Sequence, residues 1–119
     1  KYYPDDLVTD RLERFMVSEI IREKIMKETE EEVPHSVAVE VLEWTEGAIV
    51  HIGANIYVEK ESQKGIIIGK SGGRLKAIGS AARADIERLL GTKIYLELWV
   101  KVRSGWRRSR AALSELGFE

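Results

Sequence analysis

The stretch from Gly65 to Arg74, GIIIGKSGGR, concentrates residue types that bind phosphate: glycines, a lysine and a hydroxyl. A nucleotide-binding P-loop needs Gly, four free positions and then Gly-Lys-Ser/Thr, so that backbone N–H groups wrap the phosphate. Here Gly65 is followed by only three residues, Ile66, Ile67 and Ile68, before Gly69-Lys70-Ser71. Three consecutive isoleucines are poor material for that wrap and good material for burial. A GTPase or ATPase also needs an Asp that holds Mg2+ at a strand end. Neither long strand read below ends in Asp, and no Asn-Lys-x-Asp guanine-reading sequence occurs. Nucleotide hydrolysis is set aside on these grounds.

Shifted by four residues, the same stretch reads Gly69-Lys70-Ser71-Gly72, a G-x-x-G. Two glycines around two residues let a backbone approach a nucleic-acid phosphate closely, and a helix N-terminus behind them adds partial positive charge and free N–H groups. Lys70 supplies a full charge at the tip. Arg74 and Lys76 flank it one turn into the following helix, and Arg83 lies farther along. The competing reading is a helix-start turn that happens to be basic, so the surrounding elements decide.

Those elements are legible. Asp10 with Glu13 resembles a capping box, and Phe15, Met16, Ile20, Ile21 and Ile25 recur at helical spacing, which predicts an amphipathic helix over 10–28. The acidic run Glu30-Glu31-Glu32 ends it and Pro34 forbids its continuation. Val37, Val39 and Val41 alternate with Ala38 and Glu40. A Glu46-Gly47 turn follows, and then Val50, Ile52, Ala54, Ile56 and Val58 share one face, which is the pattern of an antiparallel hairpin. After a short apolar helix and the G-x-x-G, Leu75, Ile78, Ala82, Ile86, Leu89 and Leu90 mark a second long helix, with Gly91 where a left-handed cap is wanted. A third strand has Ile94, Leu96, Leu98, Val100 and Val102 inward, and WRRSRAALSELGF reads as a short basic helix. A strand, helical crossover and strand run parallel when they are neighbours. The expected fold is α+β, a three-stranded mixed sheet with helices packed on one face.

At 119 residues and 13.5 kDa the chain fits one domain, with a core that needs no metal or disulfide. It contains no Cys, which excludes disulfides, thiolate metal sites and a Cys nucleophile from this chain and suits a reducing compartment. No apolar run approaches bilayer-spanning length, and no signal-peptide pattern opens the chain. The start, Lys1-Tyr2-Tyr3-Pro4, lacks Met and reads as a linker, so the expectation is a piece of a longer protein with residues 1–9 as linker and 10–119 as the domain. The net charge of −1 hides a division: residues 1–63 carry 7 Lys/Arg against 15 Asp/Glu, and residues 64–119 carry 12 against 5. Either the second half meets a polyanion or the halves neutralise one another across the fold.

With these residues in view, the chain resembles the C-terminal type II KH domain of the Era family of bacterial GTPases. The resemblance is carried by TDRLERF, EIIREKI, EVPHSVAVEV, YVEKESQKGIIIGKSGGRLKAIG, YLELWVKV and the closing WRRSRAALSELGF, which together cover essentially the whole chain. Leu12 departs from the family's TDRPERF pattern, at the start of a helix and away from the clamp. The resemblance implies an RNA-binding module without catalysis of its own, whose ligand is the single-stranded 3′ end of 16S rRNA during maturation of the small ribosomal subunit. It implies a GTPase domain in cis, with GTP and Mg2+ held there and no cofactor in this fragment. The implied location is cytoplasmic, with peripheral association at the inner face of the membrane as a further option. Carried over by position, the clamp is Gly69, Lys70, Ser71 and Gly72; Lys64, Gly65, Ile66, Ile67 and Ile68 form a groove wall; Arg74, Lys76 and Arg83 form a basic rim. The alternatives are a KH domain of another ribosome-associated protein or a protein-docking module.

Other features carry less. His35 and His51 are far apart with no Cys or further His, so the default readings are a turn residue and a sheet-surface residue rather than a metal site. Tyr95 and Trp99 lie on the non-core face of the last strand and can stack bases, but packing under the first or last helix is the preferred reading. Arg107, Arg108 and Arg110 are either a second phosphate contact or a solvated helix face. The acidic run at 28–32 would repel RNA and point the binding face elsewhere.

Overall fold

A three-stranded sheet in the order β1-β2-β3 organises the molecule, built from β1 (Ala38–Thr45), β2 (Val50–Val58) and β3 (Ile94–Val102). The computed structural model describes residues 4–30 and 32–103. The expected basic helix with Trp106, Arg107, Arg108 and Arg110 lies outside the described residues.

β1 and β2 pair antiparallel from Ala38↔Tyr57 to Thr45↔His51. A bulge between Val41 and Glu43 leaves Leu42 exposed and returns Trp44 to the face of Ile52. β2 and β3 pair parallel from Val50↔Ile94 to Val58↔Val102, as the crossover demands. One face of the sheet therefore presents Val50, Ile52, Ala54, Ile56 and Val58 beside Ile94, Leu96, Leu98, Val100 and Val102, and the helices cover it. The helices are α1 (Pro4–Glu28), α2 (Glu61–Ile68) and α3 (Gly73–Leu90), the last two separated by a 3-10 turn at Lys70–Gly72.

α1 differs from expectation twice. It begins at Pro4 rather than at Asp10, so residues 4–9, expected as linker, are already helical. Proline is at home in a first helical turn, because the N–H it lacks would have no partner there. The buried stripe is the expected one at Ile20, Ile21 and Ile25 but not at Phe15 and Met16. Val17, Ile21 and Ile25 are fully buried, whereas Phe15 is 58% and Met16 36% exposed. At about 100° per residue, Phe15 lies about 200° round the helix from Val17, so the two cannot share a face. The helix ends where the buried Thr29 hydroxyl donates to the Ile25 carbonyl (2.8 Å) and Glu30 turns into the left-handed region (φ 51°).

α3 packs Ile78, Ala82 and Ile86, all fully buried, against α1 and the sheet. Leu89, expected on the same face, is 37% exposed. Gly91 closes the helix in the left-handed conformation (φ 71°), its N–H bonded to the Glu87 carbonyl at 2.8 Å. Lys24 Nζ meets Asp85 Oδ2 at 2.6 Å and ties α1 to α3. This contact holds the Asp85 carboxyl below the usual carboxylate range and the Lys24 ammonium above its ordinary value, each chiefly through their shared hydrogen bond.

Candidate functional site

The crossover between β2 and β3 carries the G-x-x-G, and its shape follows from local chemistry. Gln63 Oε1 accepts the N–H groups of Glu59 (3.0 Å) and Lys60 (3.1 Å), which fixes the start of α2. Ile67, fully buried, pins this short helix to the core. Burying such a side chain contributes roughly 1.5–3 kcal/mol. α2 stops at Gly69, whose φ 74° and ψ 179° are open in practice only to glycine. A Cβ at Gly69 would also lie 2.6 Å from the Arg74 Cβ. Ser71 (φ 55°, ψ 28°) and Gly72 (φ 75°, ψ 8°) are both left-handed, so the chain folds back on itself in four residues. The Gly72 N–H bonds the Gly69 carbonyl (3.2 Å) and the Gly73 N–H the Lys70 carbonyl. Lys70 and Ser71 stand exposed at the tip.

From this tip a cleft of about 410 Å3 runs between α3 and β3. Gly72, Leu75, Lys76, Gly79, Ser80 and Arg83 form its helix side; Tyr95, Leu96 and Leu98 form its strand side. Leu75, Leu96 and Leu98 give an apolar floor, Lys76 and Arg83 a cationic margin, and Ser80 a hydroxyl. Among the described residues β3 is an edge strand, so its outward backbone groups have no neighbouring strand to pair with. No acidic residue occupies the first turn of α3, which leaves its N-terminal partial charge uncompensated beside Lys70. The arrangement suits a flat, apolar-faced ligand on the floor with an anionic group at the glycine turn.

The structure thus gathers Gly72, Lys76 and Arg83 on the cleft and Gly69, Lys70 and Ser71 at its mouth. It does not bring the expected groove wall there. Ile67 is core, Ile66 and Ile68 are half-buried against the core, and Lys64 and Gly65 sit on the same short helix outside the cleft lining. The cause is that α2 sends Ile67 fully into the core and rests Ile66 and Ile68 partly against it. Arg74 is also placed differently from a rim cation. Its Nη1 donates to the Ile66 carbonyl (2.9 Å) and lies 3.7 Å from Glu32 Oε1, so it spans the loop and anchors α3 to α2. The acidic run therefore reaches the clamp's far side through Glu32, while Glu28 and Glu30 are exposed.

Sequence reasoning missed the strand side of the cleft. Leu96 and Leu98 read as core because they alternate with polar residues, yet being on an edge strand leaves them half-covered. Gly79 was the one oddity on the helix side, since a glycine inside a helix costs about 1 kcal/mol against Ala. It does line the cleft, but a Cβ there would meet Leu98 Cδ1 only at the ordinary contact distance of 3.8 Å. Tyr95 and Trp99 do not pack under α1. Both face away from α1, α2 and α3, beside His51 and Asn55 of β2, and the last helix, the other expected cover, lies outside the described residues. His35 is in a turn and accepts a hydrogen bond from Arg22 through its carbonyl, and His51 is exposed on the sheet. Among the described residues no group of three side chains could hold a metal ion.

A strand, short helix, G-x-x-G, helix and strand around such a cleft is the arrangement of KH domains. The family model for the KH domain matches residues 32–107, and the chain belongs to that family. It is 55% identical to the GTPase Era of Alkaliphilus oremlandii, a match that takes in 100% of this chain and 41% of that protein. It is also 55% identical to the GTPase Era of Fusobacterium nucleatum, over 99% of this chain and 40% of that protein. The chain therefore spans about two-fifths of the length of these curated relatives. Among solved structures, Aquifex aeolicus Era bound to GDP and aluminium fluoride superposes with a TM-score of 0.82 at 46% identity, covering 88% of this chain and 36% of that one. Era in complex with MgGDPNP and nucleotides 1506–1542 of 16S ribosomal RNA matches with the same TM-score, identity and coverage.

Proposed function

We propose that this chain is the single-stranded RNA-binding module of an Era-type GTPase and takes the 3′ end of 16S rRNA during small-subunit maturation, in the cytoplasm. The observation that carries this reading is the conjunction of a glycine-shaped turn, Lys70 at its tip and an apolar cleft leading away from it. A KH clamp of this kind holds four nucleotides by their backbone while the bases lie in the groove. The Era structure that superposes on this chain was solved with 16S rRNA nucleotides, which supports the choice of ligand. The clamp comprises Gly69, Lys70, Ser71 and Gly72, with Lys76 and Arg83 along the cleft.

GTP and Mg2+ belong to a separate domain in this reading. The Ile66–Ile68 run is inside α2 with Ile67 buried, so its amides are committed to a helix and cannot wrap a phosphate. Among the described residues no helix is long and apolar enough to cross a membrane.

Fluorescence anisotropy with a short unpaired oligoribonucleotide tests the reading. Affinity is expected to fall with salt with a log–log slope of roughly 2–3, for three or four neutralised phosphates. Changing both Lys70 and Ser71 to Asp should abolish binding without moving the unfolding midpoint, since both are exposed. Equal binding by the double variant would favour a protein-docking module instead, a reading to which the exposed Leu12, Phe15 and Met16 on α1 lend one observation.

A further inference from the structure

The sheet face turned away from the helices carries two aromatic residues of β3, and they are used differently. Trp99 lies across Gly53, where an added Cβ would sit 3.0 Å from the indole ring. Its ring is committed to that glycine. Tyr57 is buried, donates its hydroxyl to Glu40 (2.9 Å), accepts from Asn55 (3.0 Å) and lies under the Arg103 guanidinium. Tyr95 is 51% exposed, and among the described residues its ring contact is His51, itself exposed, with centroids 5.3 Å apart and planes at 45°. Among the described residues, His51 and Tyr95 are therefore the exposed rings of this face.

The pair also sits where the cleft ends. α3 and β3 are joined by the turn at Gly91, so they run in opposite directions: the glycine turn is at one end of the cleft, and Arg83 and Tyr95 are at the other. The helix rise from Gly72 to Arg83 is about 16 Å. A strand held by its backbone at the glycine turn and laid along this floor leaves the cleft over the edge of β3 at Tyr95. Arg83, which has no ion-pair partner among the described residues, stands beside that exit.

We propose that His51 and Tyr95 form a stacking platform for a further RNA base beyond the four held by the clamp, with Arg83 taking the connecting phosphate. The proposal rests on the RNA reading above. Stacking on such a platform tolerates any base, because every base has a π-face.

The test is a length series of oligoribonucleotides, from four to eight nucleotides, measured with the 119-residue chain and its variants. Affinity is expected to rise by roughly 5- to 150-fold once the strand outgrows the clamp, the range that one stacked base supplies. That increment should vanish in Tyr95→Ala, shrink in His51→Ala and persist in Tyr95→Phe. A 2-aminopurine placed at either end of a six-nucleotide strand should be quenched at one end by the unmodified chain and regain its emission with Tyr95→Ala. An increment that survives Tyr95→Ala, or quenching that is unchanged by it, overturns the platform while leaving the clamp standing. Absence of binding at every length overturns the RNA reading and the platform together.

Discussion

At its near end the cleft is shaped by Gly69 and Gly72 in conformations that side chains resist, whereas at its far end Arg83, Tyr95 and His51 arrive from three separate elements. The near end is a property of four consecutive residues, closed by their own backbone hydrogen bonds. The far end exists only because β2, β3 and α3 are stacked in register. A defect at the near end should therefore act locally and steeply. One at the far end should be graded and depend on how firmly α3 is held.

The steepest break expected is Gly69→Ala. Added to the strained φ, the clash with Arg74 should cost about 2–3 kcal/mol of stability and remove most RNA affinity, read by urea unfolding and anisotropy. Gly72→Ala is its internal control. Nothing lies within 4 Å of an added Cβ there, so only the left-handed penalty of about 1 kcal/mol applies.

Arg74→Gln separates anchor from rim. Loss of the bond to the Ile66 carbonyl should cost roughly 1–2 kcal/mol in urea unfolding and leave the salt slope of RNA binding unchanged. A slope reduced by about 0.7 would make Arg74 a phosphate contact after all.

The smallest effect concerns the tie between α1 and α3. The folded carboxyl of Asp85 titrates below its ordinary value of 3.8, so the stability it contributes is complete above that value and is lost as pH falls through the folded pKa. Lys24 titrates above its ordinary 10.5, so its share is present below that value and is lost as pH rises through the folded pKa. Asp85→Asn should flatten the pH dependence of the unfolding midpoint at both extremes and leave the neutral region with a shallow, uniform loss.

Element types were legible throughout the described residues because each carries its own period. Alternation gave the three strands, and spacing of three and four gave α3. α1 shows the limit of that reasoning: Phe15 and Met16 are as apolar as Val17, and only packing against α3 and β1 chose Val17. The clamp was legible for a different reason, since only glycine tolerates the φ and ψ found at Gly69 and glycine is visible in any sequence. Its surroundings were not. An isoleucine run reads equally as groove wall or core, and α2 resolves it by burying Ile67 and turning the Ile66 carbonyl to Arg74.

The amino-acid sequence alone determined the order of elements, the parallel crossover and the glycine turn with Lys70 at its tip, because these depend on residues close together in the chain. Tertiary structure decided the cleft floor, the placement of Arg74 as an anchor, and the meeting of His51 with Tyr95. Each joins side chains from different elements, and the distance between them is set by the register of β2 on β3 and by the packing of α3 across β3.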